Sequence, residues 1–290
     1  MVDMLKRFLS LFLCMVLLLS YIPVVSFATE AETGAAEEIQ NAPMTLSEGE
    51  LGGGTPYGML LPEINDPMGT EYYFYNQLSD IEKVMYWKIS EATWENPVIT
   101  ISGVSGYSVS QLDNLCQRAL TALIADDPEY RMYWERHIME KGILAGDIYS
   151  VSISKAEGSS KYLIQKSEAR IQQIVKKVGT EGDTYSRAKD LLALMDQEMV
   201  YDPYHPFESN RKVFYSTSAI GCLVYNTAIC AGFSDTVKIL CDELKIPCIT
   251  VGNDGHAWNF VRMDDGQWYA VDASIDFPSY CYWAYNNFLD

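Results

Sequence analysis

The sequence predicts an α+β fold in which a helix packs on an antiparallel sheet, with a mixed region of helices and strands before it. Apolar residues recur at helical spacing in the segment that begins at Cys230. Two strands then follow between His256 and Ser274, separated by a short turn that ends in glycine. This order places a cysteine on the helix, and a histidine and Asp272 on the sheet.

The first 28 residues have the pattern of a signal peptide. Basic residues precede an apolar run from residue 8 to residue 25, and small residues lead to Ala28. We expect cleavage after Ala28 and therefore a secreted or cell-surface protein. The alternative is a retained membrane anchor, because about 18 apolar residues can just span a bilayer. Contact with a membrane is expected only through this segment, if it stays uncleaved.

Three further segments follow the signal peptide. Residues 29–66 are acidic and rich in glycine, so we expect a flexible leader that buries too little apolar surface to fold. Residues 67–178 form an N-terminal region of helices and strands. The sequence GTEGD at 179–183 marks the best internal boundary, and residues 183–290 form the core that carries the candidate site.

Local patterns place the elements before the core. Ser79 and Glu82 have capping-box spacing and open a helix. A second helix is predicted to begin at Ser110 and to end before Pro128. Strict alternation at 149–155 predicts a half-buried strand. The other predicted elements are a strand at 97–102, a long helix that ends at Val178, a helix at 185–199 and a loop at 200–210.

The net charge and the absence of certain motifs in the sequence argue against nucleic-acid, metal and cofactor binding. The chain has 290 residues and a formal net charge of −18, which argues against nucleic-acid binding, since that needs cations to displace phosphate counterions. The histidines are isolated and show no metal-ligand spacing. No glycine-rich phosphate loop and no calcium-loop pattern occurs in the sequence. We therefore expect no metal, no cofactor and no nucleic-acid partner.

The cysteine count leaves the redox state open. The chain has seven cysteines, and six remain once Cys14 leaves with the signal peptide. An even number in an exported protein is compatible with disulfides, but a chain of this length does not need them to fold. Cys222 and Cys248 flank the site region and are one option for a pair, whereas Cys241 is expected in the core. The sequence does not fix the state of Cys116, Cys222, Cys241, Cys248 and Cys281.

Cys230 is predicted to lie in the first turn of its helix, close to backbone N–H groups that have no partner inside the helix. The positive end of the helix dipole favours a thiolate over a thiol. The same N–H groups can stabilise an oxyanion that forms beside the sulfur. The alternative is a small buried residue that fills a gap, since free cysteine is among the most buried residue types. The buried stripe of the helix is predicted to comprise Phe233, Val237, Leu240 and Leu244.

The hairpin is predicted to bring a histidine and a carboxylate together. A three-residue turn at 264–266 that ends in glycine suits a type I turn with a bulge, which pairs His256 with Ser274 in register. Asp272 then lies on the same sheet face as His256, one diagonal step away. Diagonal neighbours are roughly 7–8 Å apart at the backbone, a distance that an imidazole–carboxylate hydrogen bond can bridge. A two-residue turn would place the two side chains on opposite faces.

Cys230, His256 and Asp272 together supply the roles that acyl transfer needs. The imidazole takes the thiol proton and later protonates the leaving amine, while the carboxylate holds the correct tautomer. Each residue alone has a simpler explanation: a gap-filling cysteine, a hydrogen-bonded core histidine and a carboxylate that caps a strand end. The three together favour a catalytic triad.

The motifs AICAGF, GHAWNFV and WYAVDAS resemble the core of the transglutaminase-like superfamily. The resemblance covers residues 186–278, and the chain is similar to exported bacterial members that carry this core. It implies a papain-like α+β core with Cys230, His256 and Asp272 as the triad. The sequence departs from the family pattern at 226–227, at Phe233 and at 274–276, where Ile275 can alter the wall of the pocket.

Three other residues near the motifs are weaker candidates. Trp258 is interpreted either as packing or as a substrate-side wall of the site. Tyr225 is a candidate oxyanion-hole residue, and the alternative is a tyrosine with a core or surface role. His205 lies in the predicted loop, where a surface histidine is the simpler interpretation.

The sequence thus predicts an exported thiol-dependent acyl-transfer enzyme that acts on peptide or protein amide bonds. Resolution of a thioester by water would make it a peptidase or amidase, and resolution by a lysine amine would make it a transglutaminase. By analogy with exported bacterial members we favour hydrolysis of a peptide or cell-wall substrate. The alternative is a binding or scaffold domain that kept the core without the activity. The aromatic stretch before Asp290 also leaves open a chain truncated at its C-terminus.

Overall fold

The structure is a computed structural model that describes residues 65–138, 141–202, 210–253, 255–274 and 284–285. Several sequence predictions lie outside the described residues: the signal segment at 1–28, the leader up to residue 64, His205, Cys281, and the family departures at 275–276. Within the described ranges, no helix combines the length and the apolar composition needed to cross a membrane.

The N-terminal helices begin at side-chain caps. Ser79 precedes the first helix, and its backbone N–H donates to Glu82 Oε2 at 2.9 Å, which confirms the predicted capping box. The second helix begins slightly earlier than predicted, because Ser108 and not Ser110 forms the cap, with Gln111 as its partner. The helices are α1 at Asp80–Ser90, α2 at Val109–Asp126 and the short α3 at Tyr130–Tyr133.

Four strands form an antiparallel sheet in the N-terminal region. They are β1 at Val98–Ser102, β2 at Trp134–Ile138, β3 at Ile143–Ala145 and β4 at Ile148–Lys155. The predicted half-buried strand is β4, which lies at the centre of the sheet. It pairs with β1 along one edge and with β2 and β3 along the other.

The elements that lead to the site are mainly helical. The predicted loop at 200–210 begins as a short strand, which pairs in parallel with the strand immediately before Ile229. A π-helical turn at Gly221–Tyr225 has no counterpart among the predicted elements. The elements are α4 at Lys161–Val178, α5 at Thr184–Glu198, β5 at Val200–Tyr201, α6 at Asn210–Ser216, β6 at Thr227–Ala228 and α7 at Cys230–Glu243.

A second antiparallel sheet follows α7. Its strand order is β10-β9-β8-β7, and α7 packs against β7 and β8. The helix that carries Cys230 therefore lies on the sheet that carries His256 and leads into Asp272, which confirms the predicted α+β fold class. The strands are β7 at Cys248–Asn253, β8 at His256–Arg262, β9 at Trp268–Val271 and β10 at Ala284–Tyr285.

Two apolar cores hold these layers together. The first joins α1 and α2 to β1 and β4. The second joins α4, α5 and α7 to β7, β8 and β9. The long helix α4, which precedes the predicted boundary at 179–183, contributes Leu163, Ile164, Ile171 and Ile174 to the second core. The division of the chain at 179–183 stays a prediction.

Helix α7 is buried on all sides and not only along the predicted apolar stripe. Every residue from Cys230 to Cys241 is buried, including Asp235 and Lys238. Arg131 of the N-terminal region pairs with Asp235 at 2.8 Å, and both side chains are about 95% buried (5% and 4% exposed). Lys238 is fully buried, pairs with Asp242 at 2.7 Å and donates to the Thr70 carbonyl at 3.3 Å. The N-terminal region thus contacts α7 through one buried ion pair, Arg131–Asp235, and one hydrogen bond, from Lys238 to the Thr70 carbonyl.

Candidate active site

Cys230 is the first residue of α7, as predicted. Ile229 precedes it in an extended conformation (φ −95°, ψ 179°), with its N–H donating to the Ser216 carbonyl at 2.9 Å. Because isoleucine has no polar side chain, it cannot cap the N–H groups of the first turn. Those groups therefore remain beside the thiol, where they can stabilise an oxyanion.

Gly232 allows the chain to pack closely against this first turn. A Cβ atom at this position would lie 2.7 Å from the Ala228 Cβ and 2.8 Å from the carbonyl oxygens of Ser216 and Ser218. Any larger residue would push the 216–218 segment away from α7. Position 232 therefore requires glycine, because the backbone of α7 approaches the backbone of residues 216–218 too closely for a side chain.

The hairpin has the predicted register. Strands β8 and β9 pair Asn259 with Val271 and Arg262 with Trp268, the register that a three-residue turn requires. Gly266 closes the turn in the left-handed region with φ 80°. This is the register in which His256 and Asp272 lie on one face of the sheet.

His256 and Asp272 are in direct contact. The His256 Nε2 atom lies 2.5 Å from Asp272 Oδ2, so the contact that the register predicted is present. The backbone N–H of His256 donates to Asn253 Oδ1 at 3.1 Å, which fixes the start of β8. Because Asp272 occupies Nε2, the Nδ1 atom is the ring nitrogen left to face Cys230, whose side chain also raises the pKa of His256. His256 is therefore in contact with Asp272 and is influenced electrostatically by Cys230.

The surroundings of His256 favour its charged form. Burial lowers the pKa of His256, but the hydrogen bonds with Asp272 and Cys230, together with their charges, raise it to about 10. The imidazolium is therefore the expected state near neutral pH. A proton held on this ring lies between the thiol and the carboxylate, where acyl transfer needs it.

Asp272 is oriented by Ser274, which sequence reasoning placed in the hairpin register and among the departures from the family pattern, but not in the site. The backbone N–H and the hydroxyl of Ser274 donate to Asp272 Oδ1 at 2.9 and 2.6 Å. Burial raises the pKa of Asp272, but the hydrogen bond and charge of His256 and the two bonds from Ser274 lower it below its usual value. The Asp-x-Ser spacing of such a turn is the signal that could have identified Ser274.

Trp258 lies beside the imidazole. Its ring stacks on His256 with centroids 5.8 Å apart and an interplanar angle of 19°, and it is partly exposed. Trp258 therefore packs on the histidine, and its exposed part leaves open the second interpretation, that it forms a substrate-side wall of the site.

Tyr225 ends the π-helical turn and is 46% exposed. Its ring stacks on Tyr215 with centroids 4.9 Å apart. A role for Tyr225 in the oxyanion hole stays a prediction.

The other described cysteines are free and buried, so Cys222 and Cys248 do not form the disulfide that the sequence left as an option. Burial raises the pKa of Cys116 and of Cys222 to about 12. A hydrogen bond with Cys248, followed by burial, raises the pKa of Cys241, which lies in the core as predicted. The thiols of Cys116, Cys222 and Cys241 are therefore held in the protonated, unreactive form.

In the part of the chain that the structure describes, no group of three histidine, cysteine, aspartate or glutamate side chains has an arrangement that could hold a metal ion.

Comparisons with known proteins bear on the fold. No protein-family model and no curated protein matches the chain. A crystal structure of a TGase is similar at 16% identity and a TM-score of 0.35, covering 48% of this chain and 45% of that one. A candidate cysteine protease from Cytophaga hutchinsonii is similar at 16% identity and a TM-score of 0.30, covering 44% of this chain and 52% of that one. The chain thus spans about half of either structure, and the likeness concerns the fold alone.

Proposed function

We propose that the chain is a thiol-dependent acyl-transfer enzyme that cleaves amide bonds of peptides or proteins. The observation that carries the proposal is the contact of His256 with Asp272, with Nε2 and Oδ2 2.5 Å apart, at an imidazole whose pKa is also raised by Cys230 at the start of α7. The signal-like segment at 1–28 supports a secreted or cell-surface location, and for such an enzyme we favour a peptide or cell-wall substrate.

The first half of the reaction forms a thioester. The Cys230 sulfur attacks the amide carbonyl carbon, and the thiol proton resides on His256 Nδ1. The carbonyl oxygen becomes an oxyanion that the first-turn N–H groups of α7 stabilise. The C–N bond then breaks, and His256 delivers its proton to the departing amine. Asp272 holds the ring with Nδ1 towards the sulfur throughout.

The second half regenerates the thiol. A water molecule or a primary amine attacks the thioester carbonyl, and His256 takes a proton from the attacking group. The C–S bond breaks, and the proton returns to Cys230. Water gives a carboxylic acid, the reaction of a peptidase or amidase, whereas an amine gives a new amide, the reaction of a transglutaminase. The triad is the same in both, so the two outcomes are separated by experiment.

The test uses the chain from residue 29 to 290 with a fluorogenic peptide-amide library, in buffer made with ¹⁸O-labelled water and with or without a biotinylated alkylamine. We expect products that carry either ¹⁸O or the biotin label, as detected by mass spectrometry. Cys230→Ala and His256→Ala should abolish both labels. Cys116→Ala is the control, because it removes a buried thiol from the N-terminal core. Product that persists in Cys230→Ala would overturn the proposal.

A further inference from the structure

A reciprocal pair of hydrogen bonds joins the helix of Cys230 to the strand of His256. The Ser234 hydroxyl of α7 donates to the Trp258 carbonyl of β8 at 2.9 Å. In return, the Asn259 side-chain Nδ2 of β8 donates to the Ser234 carbonyl at 3.1 Å. Each element thus supplies one donor and one acceptor. Two bonds at adjacent residues resist both sliding and rotation of the helix on the strand.

Burial makes these bonds costly to lose. Ser234 and Asn259 are 2% and 1% exposed. The Asn259 Nδ2 atom also reaches Thr250 Oγ1 on the neighbouring strand at 3.3 Å, whereas Asn259 Oδ1 has no partner among the described residues. The orientation of the amide follows from the Ser234 carbonyl, because an oxygen in place of Nδ2 would face another acceptor. The asparagine therefore leaves one polar atom unsatisfied and keeps its bond to α7.

The pair lies close to the reacting atoms along both elements. Ser234 follows Cys230 by four residues, which is about one helical turn, or roughly 6 Å along the axis. Asn259 follows His256 by three residues, which is roughly 10 Å along the strand. Movement of α7 relative to β8 would change the separation of the sulfur and the imidazole directly. The pair thus lies where it can fix that separation.

We infer that Ser234 and Asn259 are positioning residues that set the distance between Cys230 and His256. This inference rests on the proposed function, because a fixed distance matters only if the thiol and the imidazole work together. Catalytic groups that move by about 1 Å can lose on the order of a hundredfold in rate, so two buried bonds at this point suffice to control reactivity. A purely structural role would instead affect stability alone.

The experiment measures the rate of iodoacetamide alkylation of Cys230 from pH 5 to pH 10, by peptide mapping, in the folded chain. The variants are Ser234→Ala and Asn259→Leu. The leucine has the same branching as asparagine and removes the unsatisfied Oδ1, and the Ser234 carbonyl keeps its bond inside the helix, so this variant is expected to fold. Ser167→Ala is the matched control, since Ser167 is fully buried and its hydroxyl also donates to a backbone carbonyl, that of Leu163, at 3.0 Å.

We expect Ser234→Ala and Asn259→Leu to be alkylated about tenfold more slowly than the native chain at pH 7, with a pH profile moved towards that of His256→Ala. Ser167→Ala should keep the native profile even where its melting temperature falls. A native profile in both Ser234→Ala and Asn259→Leu would overturn the inference and leave the proposed function intact. A native chain whose profile already equals that of His256→Ala would overturn both. Should Ser234→Ala not fold, the profile of Asn259→Leu decides.

Discussion

Asp272→Asn isolates the contribution of the carboxylate to the state of His256. The amide has the same shape but no charge. The Ser274 N–H and hydroxyl donate to Oδ1, so the amide oxygen stays there and the NH₂ group turns towards the imidazole. Nε2 must then accept a hydrogen bond, which moves the ring proton of the neutral form to Nδ1. The ring can then no longer accept the thiol proton at the nitrogen that faces Cys230.

The magnitude follows from the ion pair that is lost. Two unit charges about 4 Å apart interact by about 4 kcal/mol at an effective dielectric constant of about 20. The His256 side chain is 38% exposed, so solvent screening reduces this to roughly 2 kcal/mol. That energy corresponds to about 1.5 pH units, so the pKa of His256 should fall from about 10 to about 8.5.

The assay is a titration of the ¹⁵N-labelled chain by long-range ¹H–¹⁵N spectra, which report both the pKa and the tautomer. The chain has three histidines, and His256→Gln assigns the signal. Asp265→Asn is the control, because it removes a carboxylate from the tip of the same hairpin, where it accepts from Tyr269 at 2.7 Å. An unchanged titration of His256 in Asp272→Asn, or a native His256 that titrates near 6.5, would refute the reasoning.

Three further predictions concern the packing around the site and the charge of His256. Arg131→Met should lower the free energy of unfolding by about 3–5 kcal/mol in urea titration, since it removes the cation that pairs with the buried Asp235 carboxylate, and Asp235→Leu added to it should restore most of the loss. Gly232→Ala should cost about 1–3 kcal/mol in the same titration, whereas Gly255→Ala, which faces open space, should cost less than 1 kcal/mol. Because folding raises the pKa of His256 from 6.5 to about 10, its contribution to stability is complete below pH 6.5 and is lost as pH rises through 10. The melting temperature should therefore fall between pH 7 and pH 10, and the decline should be shallower in His256→Gln.

Local rules predicted the parts of the site that depend on short-range geometry. The glycine at the end of the 264–266 turn fixed the register, and the register placed His256 beside Asp272. The start of α7 at Cys230 followed in the same way from apolar periodicity and position. In each case the determining residues lie within about 20 positions of one another.

Features that depend on distant segments could not be predicted. Arg131 and Asp235 are 104 positions apart, and the predicted apolar stripe of α7 did not include Asp235. Ser234 and Asn259 contact one another only because α7 lies on β8 in one register, which no local pattern encodes. Strand β7, like the π-helical turn, has no counterpart among the predicted elements.

The most direct test of an activated thiol at the tip of α7 is competitive alkylation of the folded native chain. Limiting iodoacetamide at pH 6 would be followed by peptide mapping of every cysteine. A free thiol with a pKa of about 8.5 is almost unreactive at this pH. We expect Cys230 to be alkylated ahead of Cys116, Cys222, Cys241 and Cys248, and His256→Ala to abolish this selectivity. Equal labelling of all cysteines, or a Cys230 that reacts at the same rate with and without His256, would contradict an acyl-transfer site.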